Sequence, residues 1–539
     1  MGERYLNYYS QEAIRKNSVV IVSNHEAFIE GIKQHPIFLG VSLESMSDKA
    51  LASSAYVVSD DAMPSYFIKK DGQTYIHFYR GEALEPLLMR SLLHADYIVT
   101  DEVLPLYLQE VMTGMVITSK QWAAGVLLDK PAGDVKKTIL MYCGGFKNNG
   151  ITTSAINLLH NLDYERYRVI VMDTEALHDD CKRNFKKLDP RVLRVTVVGG
   201  MLRTEEESKA EERLFTASHE LYVEFGPEGF LEEEVKRLYQ RELRRILGET
   251  KIDIAIDFDG YFKYWTLLLA TSGANQKLIY QHNEMMQEYR KKLGVDYKHR
   301  VDLNVIFLLY NYFDKIVSVA GHTRDLNEAK LRHLVENSSE KMVYVHNSLD
   351  YEAVLGAADE ASDVELDEDS FYFMTMGRLS PEKNQRMLME AFKDVVAKRN
   401  EAKLVLIGNG ELRDELAELI RKLDLEEHVT LLGQVVNPFP LLKRCDVFIL
   451  PSNHEGQPMV LLETLILRKV IVATDIPGSR SILEDGYGLL IPNSKERLVE
   501  GMLRALNDEV PTKEFDYVGY NQRAMEMFYD ILEWKNAAT

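Results

Sequence analysis

The sequence predicts an α/β protein built from parallel sheets layered with helices. Three observations carry this expectation. Short apolar runs recur along the chain and alternate with amphipathic helical stretches, the rhythm of βα units. Two long sections repeat that rhythm in the same way, so they read as two sheets of one kind facing each other across a cleft. The 539 residues exceed one ordinary domain, and 46% hydrophobic with 27% charged residues is the balance of a folded chain.

The first section, 1–130, has apolar runs at 19–22, 55–58, 74–78 and 97–100, each bounded by polar residues as buried strands are. Helical stretches lie between them, which makes a small accessory α/β layer. Lys130-Pro131-Ala132-Gly133-Asp134 reads as the linker that closes it. The second section, 131–350, opens on a strand at 137–142. It turns through Gly144-Gly145-Phe146-Lys147-Asn148-Asn149-Gly150, then continues as a helix with Ile151, Ala155, Leu158 and Leu159 and a strand at 169–172. Residues 203–248 are charged and helical in pattern with few turn signals, an excursion on one side of the sheet. Strands resume at 252–256, 278–280 and 315–319. The acidic run 357–370 reads as a solvated connection. The third section, 351–514, has strands at 371–376, 403–407, 429–432, 447–450 and 470–473. Residues 515–539 read as an amphipathic helix that packs back across the domains.

Charge and composition exclude several classes. Asp and Glu number 84 against 64 Lys and Arg, a formal net charge of −20. Such a chain is a poor wrapper of nucleic acid and binds an anion only through a local basic pocket. Cys143, Cys181 and Cys445 are too few and too scattered for a disulfide framework or a metal site, which points to a reducing compartment. No apolar run approaches the roughly 20 residues that span a bilayer, and residues 1–18 lack the apolar core of a secretory signal. The expectation is a cytoplasmic protein, with peripheral contact at the inner face of the membrane left open.

Two loops concentrate the chemistry. Gly377-Arg378-Leu379-Ser380-Pro381-Glu382-Lys383-Asn384 follows an apolar strand and precedes an amphipathic helix. Gly377 permits close backbone approach, and Arg378 and Lys383 put two cations at a strand's carboxyl end. Such a pair suits a diphosphate and neutralises a departing phosphate without a metal; by itself it also fits a solvated loop. Pro451-Ser452-Asn453-His454-Glu455-Gly456-Gln457-Pro458 runs into a helix at 459–467, with Pro458 suited to its start. Glu455 falls in the loop and Glu463, eight residues on, in the helix. Free amides at that helix start hold an anion or a hydroxyl oxygen, and two carboxylates on one wall of a cleft accept hydrogen bonds from sugar hydroxyls. The two glutamates also fit a surface position and a helix-stabilising one. His282 follows the strand at 278–280 and faces the same expected cleft. Asp257-Phe258-Asp259 superficially suggests a metal pair, but a strand end with an Asx turn is the preferred reading.

In order and spacing, Gly377-Arg378-Leu379 with Glu382-Lys383-Asn384, then Glu455-Gly456 with Pro458 and Glu463, then residues 486–492, resemble the family-four retaining glycosyltransferases. His346-Asn347-Ser348-Leu349-Asp350 resembles that family's interdomain segment, and residues 446–452 resemble a further motif. The likeness covers roughly 136–535. It implies the GT-B fold, two Rossmann-like domains facing across a cleft, with residues 1–130 as an accessory domain. It implies that Arg378 and Lys383 bind the donor diphosphate, that Glu455 lies beside the transferred sugar and that Glu463 holds the ribose hydroxyls. It also implies that Gly410, in Gly408-Asn409-Gly410-Glu411, lies near the nucleoside and that Gly144 and Gly145 close on the donor phosphates. Gly377, Gly456 and Gln457 belong to the same donor surface, with Gln457 and its neighbours as candidates for reading the hexose. His282 resembles the histidine that contacts the donor sugar. The implied catalytic set is therefore His282, Arg378, Lys383 and Glu455. No metal and no cofactor are expected beyond a nucleotide-sugar co-substrate, a UDP-hexose or UDP-N-acetylhexosamine. The expected acceptor is a bacterial cell-surface polymer or its lipid-linked precursor, teichoic acid or capsule. A second copy or a sister transferase subunit stays open as a partner.

Residues 66–76, Tyr66-Phe67-Ile68-Lys69-Lys70-Asp71-Gly72-Gln73-Thr74-Tyr75-Ile76, resemble part of the glycerophosphotransferases that polymerise teichoic acids. That family continues with a Trp-His-Gly-Thr-Pro-Leu-Lys-type segment, where this chain has His77-Phe78-Tyr79-Arg80-Gly81-Glu82-Ala83-Leu84-Glu85. Aligned on the glycine, the family's histidine becomes Arg80 and its final lysine becomes Glu85. Arginine stays protonated and cannot serve as a base. The domain therefore reads as non-catalytic: it docks an acceptor or a sister subunit, or it forms a structural layer. Two other readings of the whole chain stand beside the glycosyltransferase, a CDP-glycerol-type glycerophosphotransferase and a non-catalytic partner subunit. Arg80 speaks against the first. The intact set Arg378, Lys383, Glu455 and Glu463 speaks against both.

Overall fold

The computed structural model describes residues 2–533 apart from 39–40, 103, 106–107, 109–114, 118, 120–135, 175–178, 294, 363 and 368. The expected linker at 130–134 lies outside the described residues, as does the end of the expected terminal helix at 534–539.

Parallel sheets carry each section. The first sheet contains β1 (Arg15–Val22), β2 (Ser42–Glu44), β3 (Ser54–Ser59), β4 (Thr74–Phe78), β5 (Tyr97–Val99) and β6 (Met115–Ile117), in the order β2-β1-β3-β4-β5-β6. The second contains β7 (Lys137–Tyr142), β8 (Tyr167–Thr174), β9 (Leu193–Val197), β10 (Ile254–Asp257) and β11 (Gln276–Gln281). A small antiparallel hairpin, β12 (Lys292–Leu293) and β13 (Asp296–Tyr297), precedes its last strands, β14 (Lys315–Ser318) and β15 (Met342–Tyr344). The second sheet's order is β15-β14-β11-β10-β7-β8-β9. The third sheet contains β16 (Phe371–Met376), β17 (Ala402–Ile407), β18 (Val429–Gly433), β19 (Val447–Leu450), β20 (Val470–Thr474) and β21 (Leu489–Ile491), ordered β18-β17-β16-β19-β20-β21.

Every strand expected from the sequence forms. The unexpected strands of the three sheets, β2, β6, β9, β15 and β21, all lie at sheet edges. An edge strand has one neighbour and needs no long apolar run, so it leaves a weak trace in the sequence. The helical stretch at 203–248 forms two helices, Glu205–Gly229 and Glu233–Leu247. Gly226, at φ +73°, and Pro227 interrupt the first one near its end.

Those two helices explain why the first section is not a separable bead. One continuous core holds Val20, Val57, Tyr75 and Ile98 of the first sheet together with Leu140, Ile170, Ala255 and Ile279 of the second. Leu214, Leu238, Tyr239 and Leu243 of the two helices fill the space between them. A polar rivet runs through this joint. Arg245 donates from Nε and Nη2 to the Glu242 carboxylate at 2.6 and 2.7 Å, with both side chains 1% exposed. Its Nη1 donates to Ser65 O at 2.8 Å and Val198 O at 2.7 Å, one carbonyl from each section. Arg90, on the helix Pro86–His94, donates to Arg245 O at 2.7 Å. The other face of the second sheet is closed by the C-terminal helix Tyr517–Glu533, whose Met525, Phe528 and Leu532 pack against Met141, Val169 and Ile256.

The second and third sheets share one topology. In each, strand order reverses between the first strand and the fourth, β7 beside β10 and β16 beside β19. Ligand crevices of such sheets lie at the carboxyl ends of those strands. The glycine loop after β7, the loop after β10, and both chemistry-bearing loops of the third section occupy these four positions.

Removing one partner of a buried ion pair leaves an unmatched charge in the core. Glu242→Gln is expected to destabilise the fold by about 3–5 kcal/mol, read as a lower denaturant midpoint. A wild-type midpoint would show that the rivet does not hold the joint.

Candidate active site

The two chemistry-bearing loops of the third section are stitched to each other. The Asn453 amide donates to Glu382 O at 2.8 Å, Asn453 Nδ2 to Pro381 O at 3.1 Å, and Asn384 Nδ2 to Asn453 Oδ1 at 3.1 Å. This stitching brings Lys383 against Glu455. Lys383 Nζ donates to Glu455 Oε1 at 2.5 Å, and Ser452 Oγ donates to the same oxygen at 2.7 Å. Gly377 begins the first loop, its amide donating to Ile407 O at 2.9 Å. Gly410 lies where the loop after β17 rests on it: a Cβ there would fall 2.2 Å from Leu379 O. Close backbone approach is therefore what this glycine supplies. Arg378 is exposed at the lip of the loop.

Across the cleft, His282 follows β11 and is buried beside Phe258 and Tyr280. Its Nε2 lies 2.5 Å from Phe258 O. A carbonyl only accepts, so Nε2 carries the proton and Nδ1 keeps its lone pair. Burial pushes the ring down to about 4, so the imidazole is neutral near pH 7. Gly144 and Gly145 follow β7 with φ of +76° and +75°. Asn149 caps the helix Gly150–His160, accepting the Thr152 amide at 2.9 Å.

The Asp257-Phe258-Asp259 triplet forms the turn expected of it. Asp257 accepts the Gly260 amide at 2.9 Å and the Thr266 hydroxyl at 2.5 Å, and Asp259 accepts the Tyr261 amide at 3.2 Å. Burial pushes Asp257 up to about 6; burial and then the Asp257 charge push Asp259 up to about 7. Among the described residues, no group of three or more His, Cys, Asp or Glu is placed to hold a metal ion.

The two walls meet. A Cβ on Gly456 would lie 1.8 Å from His282 O, so the carboxyl-end loops of the two sheets touch there and only a glycine permits it. Lys291 Nζ reaches Glu382 Oε1 across the cleft at 3.1 Å. Lys298, beside the hairpin β12–β13, titrates below the usual lysine range. Its packing is the first cause, followed by the nearby charges of Lys291 and Arg378. Lys291, Lys298, Arg378 and Lys383 thus gather four cations around the three carboxylates of Glu288, Glu382 and Glu455. His454 adds a buried Nε2 without a hydrogen-bond partner, next to Glu455 in sequence. Burial lowers its pKa, and the carboxylates of Glu288, Glu455 and Glu284 oppose that shift. The basic pieces 290–292 and 298–300 were the sequence signal for the far wall, but nothing in their spacing tied them to the donor loops.

The Gln457 amide has partners away from the cleft, and Glu463 is buried on its helix. Gln457 is expected to read the hexose, yet its amide joins the interdomain segment to the terminal helix. Oε1 accepts the Asn347 amide at 2.8 Å, while Nε2 lies 2.9 Å from His346 Nδ1 and donates to Tyr520 OH at 3.1 Å. Both amide hydrogens are spent there, which leaves none for a sugar. Glu463 lies buried in the helix Met459–Ile466, and burial pushes its carboxyl up to about 7 against the opposing pull of Lys187. The structure therefore brings together Lys383 and Glu455 on one wall, and His282 and Gly456 across the cleft, with Arg378 at the lip.

Two doubly wound sheets with touching carboxyl-end loops and a basic seam between them define the GT-B class of two-domain folds. The profile described as "Glycosyl transferases group 1" matches residues 358–525. An uncharacterized glycosyltransferase of Methanocaldococcus jannaschii is 34% identical over 191 residues, 35% of this chain and 47% of its own length. N-acetylgalactosamine-N,N'-diacetylbacillosaminyl-diphospho-undecaprenol 4-alpha-N-acetylgalactosaminyltransferase of Campylobacter jejuni is 31% identical over 284 residues, 52% of this chain and 73% of its own. Poly(ribitol-phosphate) alpha-N-acetylglucosaminyltransferase of Staphylococcus aureus is 31% identical over 143 residues, 26% of this chain and 29% of its own. The chain thus spans about half the length of the first of these curated relatives and less than a third of the last. Among solved structures, Anabaena Alr3699/HepE in complex with UDP-glucose superposes with a TM-score of 0.51 at 16% identity, covering 73% of this chain and 99% of that one. The chain belongs to the group 1 glycosyltransferases.

A carboxyl group whose pKa is raised by folding holds its proton longer than the unfolded chain does. Stability then falls as pH rises from the ordinary value of 4.5 to about 7. Glu463→Gln is expected to match the wild type at pH 4 and exceed its stability at pH 8 in denaturant unfolding. No gain at pH 8 would show that Glu463 is not held in a dry site.

Proposed function

We propose that the protein is a retaining, metal-independent glycosyltransferase that moves a hexose or N-acetylhexosamine from a UDP-sugar to a bacterial cell-surface polymer or its lipid-linked precursor. The observation that carries this reading is the convergence of Arg378, Lys383, Lys291 and Lys298 on one seam of a chain with a net charge of −20. A diphosphate is the anion of a nucleotide sugar that such a seam matches. Support for the donor class comes from the UDP-glucose bound to the Anabaena neighbour. Support for the acceptor class comes from the diphospho-undecaprenol and poly(ribitol-phosphate) in the relatives' names. Both names specify alpha-linked products, the anomer that retention gives from an alpha-linked UDP-sugar.

The donor diphosphate lies against Arg378 and Lys383 and draws the Lys383 ammonium from Glu455. Glu455, still held by Ser452, is then free to accept a hydrogen bond from a hydroxyl of the sugar. His282, neutral with its proton on Nε2, offers a lone pair on Nδ1 and not an acidic proton. The acceptor hydroxyl attacks the anomeric carbon from the face that the nucleotide leaves. The bond from that carbon to the departing phosphate oxygen breaks, and the same oxygen takes the hydroxyl proton. The cations stabilise the charge that develops on it. Contact between Gly456 and His282 closes the cleft around the sugar and excludes water.

Lys383→Ala or Arg378→Ala is expected to cut turnover about a hundredfold, the scale of one preorganised charge contact. EDTA is expected to leave turnover largely intact in a panel of UDP-sugars assayed beside CDP-glycerol. Unchanged turnover in both variants, full loss of activity with EDTA that manganese restores, or transfer from CDP-glycerol alone would contradict the reading.

A further inference from the structure

The carboxyl-end rule for parallel sheets applies to the first sheet as well. Its order reverses between β1 and β3, so its crevice lies between residues 23–25 and 60–62. Asp60 sits there with its side chain wholly buried, 0% exposed. Oδ2 takes up two groups, His25 Nδ1 at 3.0 Å and Arg80 Nη2 at 2.9 Å. Oδ1 has no hydrogen-bond partner, and a buried carboxylate oxygen left unpaired is costly. His77 pairs with Ser59 in the β3–β4 register and is equally buried. Its Nδ1 lies 3.1 Å from Ser59 Oγ and 2.9 Å from Tyr75 OH, and its Nε2 has no partner. His25 and Arg80 differ: their side chains are 62% and 52% exposed, each tied to Asp60 at one atom. Arg80 also lies over the Phe28 ring at 5.7 Å.

We propose that this crevice is a second ligand site and that it binds a neutral polyhydroxylated unit, a sugar or an alditol, through His25 and Arg80, which the buried Asp60 holds in place. Charge decides against a phosphate. Asp61 accepts from Asn24 Nδ2, and Glu82 accepts the Arg80 amide. With Asp60, three carboxylates face one guanidinium and one imidazole, so an anion finds no net positive wall. A hydroxyl both donates and accepts. It can accept from Arg80 and donate to His25 Nε2, whose ring gives its Nδ1 proton to Asp60, whereas a deprotonated phosphate oxygen only accepts. Phe28 adds an apolar surface for the carbon face of such a unit. Arg80 is the residue at which this segment departs from the glycerophosphotransferase pattern, and here it has a use of its own. The site lies on a different sheet from the donor cleft and does not rest on the reading above; only its employment in holding an acceptor chain does.

The test is saturation-transfer NMR on the full chain with ribitol, glucose and inorganic phosphate as probes, each with UDP at saturation. Arg80→Ala and His25→Ala change exposed side chains, and an unchanged melting temperature checks their fold. Ribitol or glucose is expected to bind with UDP present, at least tenfold more weakly in both variants, and without competition from phosphate. The proposal is overturned if neither polyol binds, if binding survives both variants at wild-type strength, or if phosphate displaces the probe. Loss of UDP binding in Lys383→Ala with retained Arg80-dependent polyol binding would leave this site standing and count for the donor cleft alone.

Discussion

Holding several cations close together is the constraint on which the cleft depends. Arg378 and Lys298 approach each other from opposite walls, and their like charges repel. Lys383 meets the same problem by pairing with Glu455, and Lys291 by pairing with Glu382. Two unit charges about 4 Å apart interact by roughly 4 kcal/mol at the effective dielectric of a protein surface. Each of these pairings is therefore of the same order as the attraction a single phosphate charge offers. On the proposed reading, a ligand with more negative charge than one carboxylate tips that balance and frees Glu455 to accept a hydrogen bond from the sugar.

Topology makes the seam possible. Because the second and third sheets share one strand order, each delivers two loops to its own reversal point, and the four loops face each other. The donor loops are fixed by backbone and amide hydrogen bonds among Asn384, Asn453 and Glu382, so the charged side chains stand on a rigid base. Glycine at 456 then lets the two walls touch. The first sheet uses the related order in which the reversal falls between β1 and β3, and it is welded to the second through Arg245 and a shared core. It shares one core with the second sheet's wall of the cleft.

The central strands were legible because they are buried on both faces and must read as apolar runs. The edge strands β2, β6, β9, β15 and β21 were not, since one-sided pairing imposes no such run. Lys383 and Glu455 were legible because they sit in short loops between a strand and a helix, where spacing alone brings them to one end of the sheet. Lys291, Lys298 and His454 were not, because their place in the seam arises only from the closeness of two walls 80 residues or more apart in sequence. Gln457 misled for a related reason: its neighbours in the chain line the cleft, while its amide turns the other way to Asn347, His346 and Tyr520. The rivet of Arg245 and Glu242 left no pattern beyond an ordinary i, i+3 pair on a charged helix.

The claim that the seam grips a diphosphate is tested most directly by calorimetry of UDP against UMP in the presence of a chelator. The two ligands share base and ribose and differ in the second phosphate. The account predicts that UDP binds at least about tenfold more tightly than UMP, close to 1.4 kcal/mol, and that this advantage shrinks as salt screens the cations. Equal affinities for the two nucleotides, or UDP binding that requires an added divalent metal, would contradict it.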